Sequence, residues 1–221
     1  MNRKPILFFW TLWILVAALA LAPAALSEDA YDAGTMRLLR HEGTVEIFDV
    51  SGQPRFVMDN VRFASGEALQ TGEDGIASVG LDESKIVTLD AQGRVEFIQE
   101  AQHIRLNLKK GSLFLDVQKS LDENEGLDIQ TTNMTVGIRG TVVFMSTQPT
   151  PKGGEKTSLG VLEGKTEVTY TDTEGTSRVL PVGKGEVLSI QQESGEEGAA
   201  PIVKPMTTED IQGFVMEQIQ Q

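Results

Sequence analysis

The chain has 221 residues, no cysteine and a formal charge of -13 from 19 basic and 32 acidic side chains. That balance argues against nucleic acid as a partner, since such binding depends on lysine and arginine displacing counterions from phosphates. The missing thiols exclude a disulfide framework, a thiolate metal site, a cysteine nucleophile and a lipidated N-terminal cysteine. A hydrophobic content of 40% suffices for the core of one domain with appendages.

Arg3 and Lys4 open the chain and are followed by the uncharged run Ile6 to Leu26. Ala25, Leu26 and Ser27 fit a small-x-small cleavage site ahead of Glu28 and Asp29. Residues 1–27 read as a secretory signal peptide. The run is also long enough to span a bilayer, so an uncleaved N-terminal anchor is the alternative. In the first case the protein is periplasmic or secreted. In the second it is held at the inner membrane with the domain outside the cytoplasm.

From residue 36 to residue 190 the pattern is strands and turns. Residues 44–48 alternate and end in a turn at Asp49–Gly52. Further turns are expected at Asp74–Gly75, Gln92–Gly93 and Glu174–Gly175. Between them lie apolar or alternating runs at 76–81, 86–89, 95–98, 104–108, 112–117, 127–129, 136–145, 158–162, 167–170 and 187–190. Short strands separated by turn signals predict an all-β domain, a two-sheet sandwich or a rolled sheet. An internal echo runs through it. Glu42, Gly43, Glu46, Ile47, Arg55 and Gly66–Leu69 recur in order as Glu163, Gly164, Glu167, Val168, Arg178 and Gly185–Leu188.

Residues 191–206 read as a flexible acidic linker. Residues 207–221 then read as a short amphipathic helix, with hydroxyl and acidic residues at its start and Ile211, Phe214, Val215 and Ile219 on one face. Such a helix is not stable alone in water. It docks either on the β domain or on a partner.

No catalytic set emerges. His41 and His103 have no partner at metal-ligand spacing. No nucleophile elbow, zinc-protease motif or phosphate loop occurs. Acidic residues crowd into turns, as solvated loops do. Residues 122–128 faintly resemble a calcium loop but lack the Asp/Asn-Gly pair at its fifth and sixth places and the bidentate acid further on. Asn133–Thr135 matches a glycosylation sequon. The reading is a non-enzyme with no cofactor and no metal site.

The segment 136–144 places Arg139 between Gly137 and Gly140 inside an apolar strand. At a period of two, Val136, Ile138, Gly140, Val142 and Phe144 share one face and Arg139 lies on the other. Arginine there serves either as a tie to a carboxylate or carbonyl across the sheets, the favoured reading, or as a binding residue.

Residues 136–144 resemble the most characteristic segment of the FecR domain. Residues 66–72 and 75–82 are similar to its opening pattern, 84–89 to the strand that follows, 110–117 to its middle strand and 162–164 to a later one. The motif residues are Gly72, Gly75, Gly111, Gly137, Arg139, Gly140, Thr141 and Gly164, read as structural. The resemblance implies an all-β extracytoplasmic domain of two packed sheets, described as a sandwich or a rolled, β-helix-like arrangement. It also implies, for the regulators that name the family, relay of a receptor signal across the membrane to a sigma factor. This chain departs from their layout, with four residues ahead of the apolar run and a linker and helix in place of a receptor-contacting end. The expected organisation is therefore 1–27 signal or anchor, 36–190 FecR-like domain, 191–206 linker and 207–221 helix. The expected function is a binding or scaffolding module of the bacterial envelope, contacting an envelope protein or glycan through sheet edges, turns or the helix. The alternative is a periplasmic signalling component regulating a sigma factor or iron uptake. A hydrolase of envelope polysaccharide is a third reading.

Overall fold

The computed structural model describes residues 36–196, 198–211 and 213–220. The N-terminal expectation for residues 1–27 lies outside them. The described chain forms sixteen strands and one helix. Hydrogen-bond pairing divides the strands into two sheets.

The first sheet contains β1 (Arg37–Glu42), β5 (Ile76–Gly80), β6 (Lys85–Leu89), the second half of β8 (His103–Val117), β11 (Val142–Pro149), β12 (Glu155–Glu163), β15 (Glu186–Gln192) and β16 (Ile202–Pro205), side by side in that order. The second runs β3 (Pro54–Arg55), β2 (Val45–Phe48), β4 (Glu67–Thr71), β7 (Arg94–Glu100), the first half of β8, β9 (Gly126–Gln130), β10 (Met134–Ile138), β13 (Lys165–Thr171) and β14 (Ser177–Gly183). All pairings are antiparallel except β8 with β9.

Strand β8 belongs to both sheets, and its sequence shows why. Ile104, Leu106 and Leu108 are buried at a spacing of two, and so are Leu113, Leu115 and Val117. The step from 108 to 113 breaks that parity. One face of a strand must change sides when it passes from one sheet to the sheet opposite. Gly111, at φ +86°, makes the switch. The sequence pattern suggests two strands here; the chain makes one.

The core fills the space between the sheets. Leu69, Val95, Phe97, Leu106 and Ile129 meet Val79, Leu89, Leu113, Leu115, Met145 and Leu159. Phe63 and Phe97 stack with centroids 4.7 Å apart and planes tilted by 45°. Strands β7, β10 and β13 therefore show the alternation of a sheet buried on one face, whereas β11, covered on its outer face as well, is buried at five consecutive positions.

The sheet edges carry prolines. Strands β3, β14 and β16 pair on one side and hold Pro54, Pro181 and Pro205. Proline removes a ladder donor and blunts an edge against strand addition. The free side of β1 is covered instead: Leu38 N donates to Val61 O at 2.9 Å and Phe63 N to Met36 O at 3.0 Å.

The expected linker is largely packed. Ala199 is buried in the core and donates its N–H to Thr171 O at 3.1 Å. Ile202–Pro205 is the last strand of the first sheet. The helix α1 (Gly213–Ile219) begins later than residue 207. A turn precedes it, in which the Asp210 carboxylate accepts from Thr207 N at 2.9 Å, Thr207 Oγ1 at 2.8 Å and Lys204 Nζ at 2.7 Å. The Lys204 ammonium and the two Thr207 donors hold the Asp210 carboxyl at about 2. The helix docks on the domain: Val215 is fully buried against Phe114, Phe144 and Val187 on the outer face of the first sheet. Among the described residues no helix is long and apolar enough to cross a membrane.

The internal echo is a repeated local construction. Asp49 Oδ1 accepts from the N–H groups of Ser51 and Gln53, and Asp172 Oδ1 from those of Glu174 and Thr176, each at 2.9 Å. Glu67 accepts from Ala64 N at 2.9 Å, and Glu186 from Gly183 N at 2.7 Å. The two copies then diverge, since β4 lies in the second sheet and β15 in the first.

Candidate functional site

A cleft of about 710 Å³ opens on the outer face of the second sheet, between β8, β9, β10 and β13. It forms because of what stands in one cross-strand row. Gly137 on β10 pairs with Asp128 on β9 and with Glu167 on β13. Successive residues on a strand alternate faces, so with Val136 and Ile138 in the core, position 137 points outward. A Cβ there would sit 3.8 Å from Asp128 Oδ1 and 3.7 Å from Glu167 O, an ordinary contact distance. Neither backbone conformation nor crowding demands glycine at 137. Its effect is to leave the floor between the two acidic residues open.

His103 and Asp128 form one wall, with His103 Nε2 and Asp128 Oδ2 2.8 Å apart. The imidazole lies against Gly126, where an added Cβ would come within 2.5 Å of Nδ1. Lys165 and Glu167 form the opposite wall, and the loop 118–125 closes one end. That loop is gripped twice. Lys85, nearly buried on β6, bonds Asp82 and reaches Glu125 Oε2 at 3.4 Å. Glu125 also accepts from Asp122 N at 3.1 Å. On its other side Ser120 rests against the Gly140 corner, 2.9 Å from where a Cβ would stand. Burial alone would lower the Lys85 ammonium, but the Asp82 and Glu125 carboxylates outweigh it and raise it above its ordinary value.

Arg139 stands at the cleft, exposed, and makes no hydrogen bond or ion pair with a described residue. The expected tie across the sheets is absent. The reason is topological. The expected strand 136–145 is two strands: β10 in the second sheet and β11 in the first, with residues 139–141 turning the corner. At that corner Arg139 is exposed beside the cleft. Val142 and Phe144 then face the helix side rather than the core shared by Val136 and Ile138.

The other motif residues stand at crossings between the sheets. Gly72 and Gly75 lie between β4 and β5, Gly111 within β8, Gly140 and Thr141 between β10 and β11, and Gly164 between β12 and β13. Gly140 has φ +81° and Gly164 would place a Cβ 2.7 Å from Thr141 Cγ2. Thr141 is buried, and its Oγ1 has no hydrogen-bond partner.

The sequence suggestions of other chemistry meet specific obstacles. In the calcium-like stretch, Glu125 is turned to Lys85 and Asp128 to His103. Among the described residues no group of three or more histidines and acids is placed to hold a metal. Asn133 of the sequon is buried, with its Nδ2 donating to Glu155 O at 3.4 Å. What sequence reading missed is the cleft itself. Its acids come from β9, the loop and β13, and only the cross-strand register brings them beside Gly137.

The FecR protein family matches residues 67–167, from β4 into β13. The strands outside that range complete the same two sheets. No curated protein matches the chain. Two crystal structures of a "putative anti-sigma factor" from Parabacteroides distasonis ATCC 8503, at 1.65 Å and 2.50 Å resolution, are similar to it, with TM-scores of 0.52 and 0.51. Identity is 15% in both, over 64% of this chain and 61% of that one. The likeness is one of fold, and the matched part spans less than two thirds of the Parabacteroides distasonis protein.

Proposed function

Residues 67–167 being a FecR domain, we propose that the chain acts outside the cytoplasm as a binding element of a transmembrane pathway that regulates a sigma factor. It works by docking a protein partner in the Gly137 cleft. The observation that carries this reading is the unpartnered Arg139 guanidinium, set by the family's own motif beside a cleft whose floor that motif keeps open. A free, rigid fork of donors is suited to a carboxylate presented by a partner. The acids around it, Asp122, Glu123 and Glu167, suit basic groups on the same partner. The fold shared with the Parabacteroides distasonis protein supports the signalling reading over scaffolding alone.

Arg139→Glu and Gly137→Phe test it. Arg139 is exposed and unpartnered, and Gly137 is held through its backbone ladder alone, which a phenylalanine keeps while its side chain projects into the cleft, so both variants are expected to keep the parental unfolding midpoint, within about 0.5 kcal/mol. In the source bacterium, carrying either variant in place of the chromosomal copy, transcription from sigma-factor-dependent promoters is expected to change as it does in the deletion strain. Wild-type transcription with both variants would reject the cleft as the docking site. No change in the deletion strain itself would reject the pathway.

A further inference from the structure

The outer face of the first sheet carries a second groove, of about 680 Å³, on the opposite side of the sandwich from the Gly137 cleft. We infer that it binds a neutral polysaccharide chain. The floor follows from register. Ser146 on β11, Ser158 on β12 and Ser189 on β15 pair in succession across three strands. Two residues along, on the same face, Gln148, Lys156 and Gln191 form the next row. On the other flank Phe144 lies over Gly160, where a Cβ would come within 2.2 Å of the ring. Glycine at 160 makes room for the ring beside the hydroxyl row.

The hydroxyls are not all occupied within the protein. Ser158 and Ser189 bond each other at 3.0 Å. Ser146 is only 9% exposed, lines the groove and has no side-chain hydrogen bond to a described residue. Its Oγ is open to the groove rather than sealed in the core, so it can both donate to and accept from a ligand hydroxyl. Strands are spaced by about 4.8 Å, so donors and acceptors recur across the floor at roughly the rise of one pyranose unit in an extended chain.

The chemistry favours a saccharide over other ligands. Hydroxyls and carboxamides both donate and accept, as sugar hydroxyls do. Lys156 and Lys204 are matched by Glu193, Glu209 and Asp210 around the rim, so the groove has no net attraction for an anion. A peptide strand would need a free sheet edge, and the bordering edge strand β16 ends in Pro205. The inference does not depend on the signalling role, because it uses a different face and different residues.

The test is binding of the full chain, purified from the envelope, to chitohexaose, cellohexaose, mannohexaose and maltohexaose by calorimetry. At least one is expected to bind. The exposed pair Gln148→Ala and Gln191→Ala, and separately Ser146→Val, are expected to weaken it about tenfold, while Arg139→Glu leaves it unchanged. Failure of all four sugars to bind, or binding that ignores both groove variants, would overturn the inference. Loss with Arg139→Glu would also overturn it, by moving the ligand to the other face. Unchanged binding by Arg139→Glu alongside lost transcriptional control would separate the two sites.

Discussion

Gly111→Ala is expected to lose about 2–5 kcal/mol of folding stability, measured as a lower denaturant midpoint with an unchanged slope. Two costs add at this position. A φ of +86° lies where an L side chain pays roughly 1–2 kcal/mol. The new Cβ would also stand 2.5 Å from Gly93 Cα, a backbone atom that cannot swing aside. Gly93 belongs to the neighbouring crossing, between β6 and β7, so relief at one corner displaces the other. For a domain whose total stability is about 5–15 kcal/mol, the loss is a large fraction. Gly137→Ala is the control. Its position needs no left-handed backbone and its Cβ meets only ordinary contacts, so that variant should hold its midpoint or rise slightly. Equal losses at 111 and 137 would mean that the two glycines serve the fold in the same way, against this account.

Lys85→Met is expected to cost about 2–4 kcal/mol and to loosen the loop 118–125. The ammonium is nearly buried and serves Asp82 and Glu125, both partly exposed. Removing it leaves two carboxylates close together with no cation between them, though residual solvent softens the penalty below that of a fully buried pair. Hydrogen exchange at residues 120–125 should rise in the variant.

The same triad sets a pH signature. Burial alone would raise the Asp82 carboxyl, but bonds from Lys85 and Ser84 outweigh it and hold it below 3.8. A depressed carboxyl contributes stability that is complete above its unfolded value and fades as pH falls through its folded one. Lys85 is raised above 10.5, so its contribution fades only as pH rises through that raised value. The parent should therefore be insensitive to pH between these limits as far as this triad is concerned. Lys85→Met should show a shallower loss of stability in acid. An identical acid profile in the two proteins would mean the triad is not formed in solution.

Much of the fold was legible because its signals are local. Asp49–Gly52, Asp74–Gly75 and Glu174–Gly175 mark turns by their backbone demands, and alternation of period two marks each half-buried strand. The crossings were harder. Residues 136–145 keep a continuous apolar alternation, so nothing in the pattern says that the chain leaves one sheet at Ile138 and joins the other at Val142. Only the left-handed Gly140 marks it, and a glycine in a strand has several readings. The same ambiguity placed Arg139 in a tie it does not make. Residues 191–206 were misjudged for another reason. Their acidic composition and turn residues describe a linker, whereas Ala199 and Ile202–Pro205 are held by tertiary contacts that composition does not encode. The helix face was readable, and Val215 is indeed its buried residue. The cleft was not readable, because Asp128, Gly137 and Glu167 meet only through register.

The most direct measurement is photocrosslinking in intact cells from a probe amino acid placed at position 139, with a probe at Gln148 on the opposite face as reference. The account predicts that the 139 probe captures a discrete protein of the envelope, and that Gly137→Phe abolishes the adduct. No protein adduct from 139, or the same adducts from both positions, would contradict it.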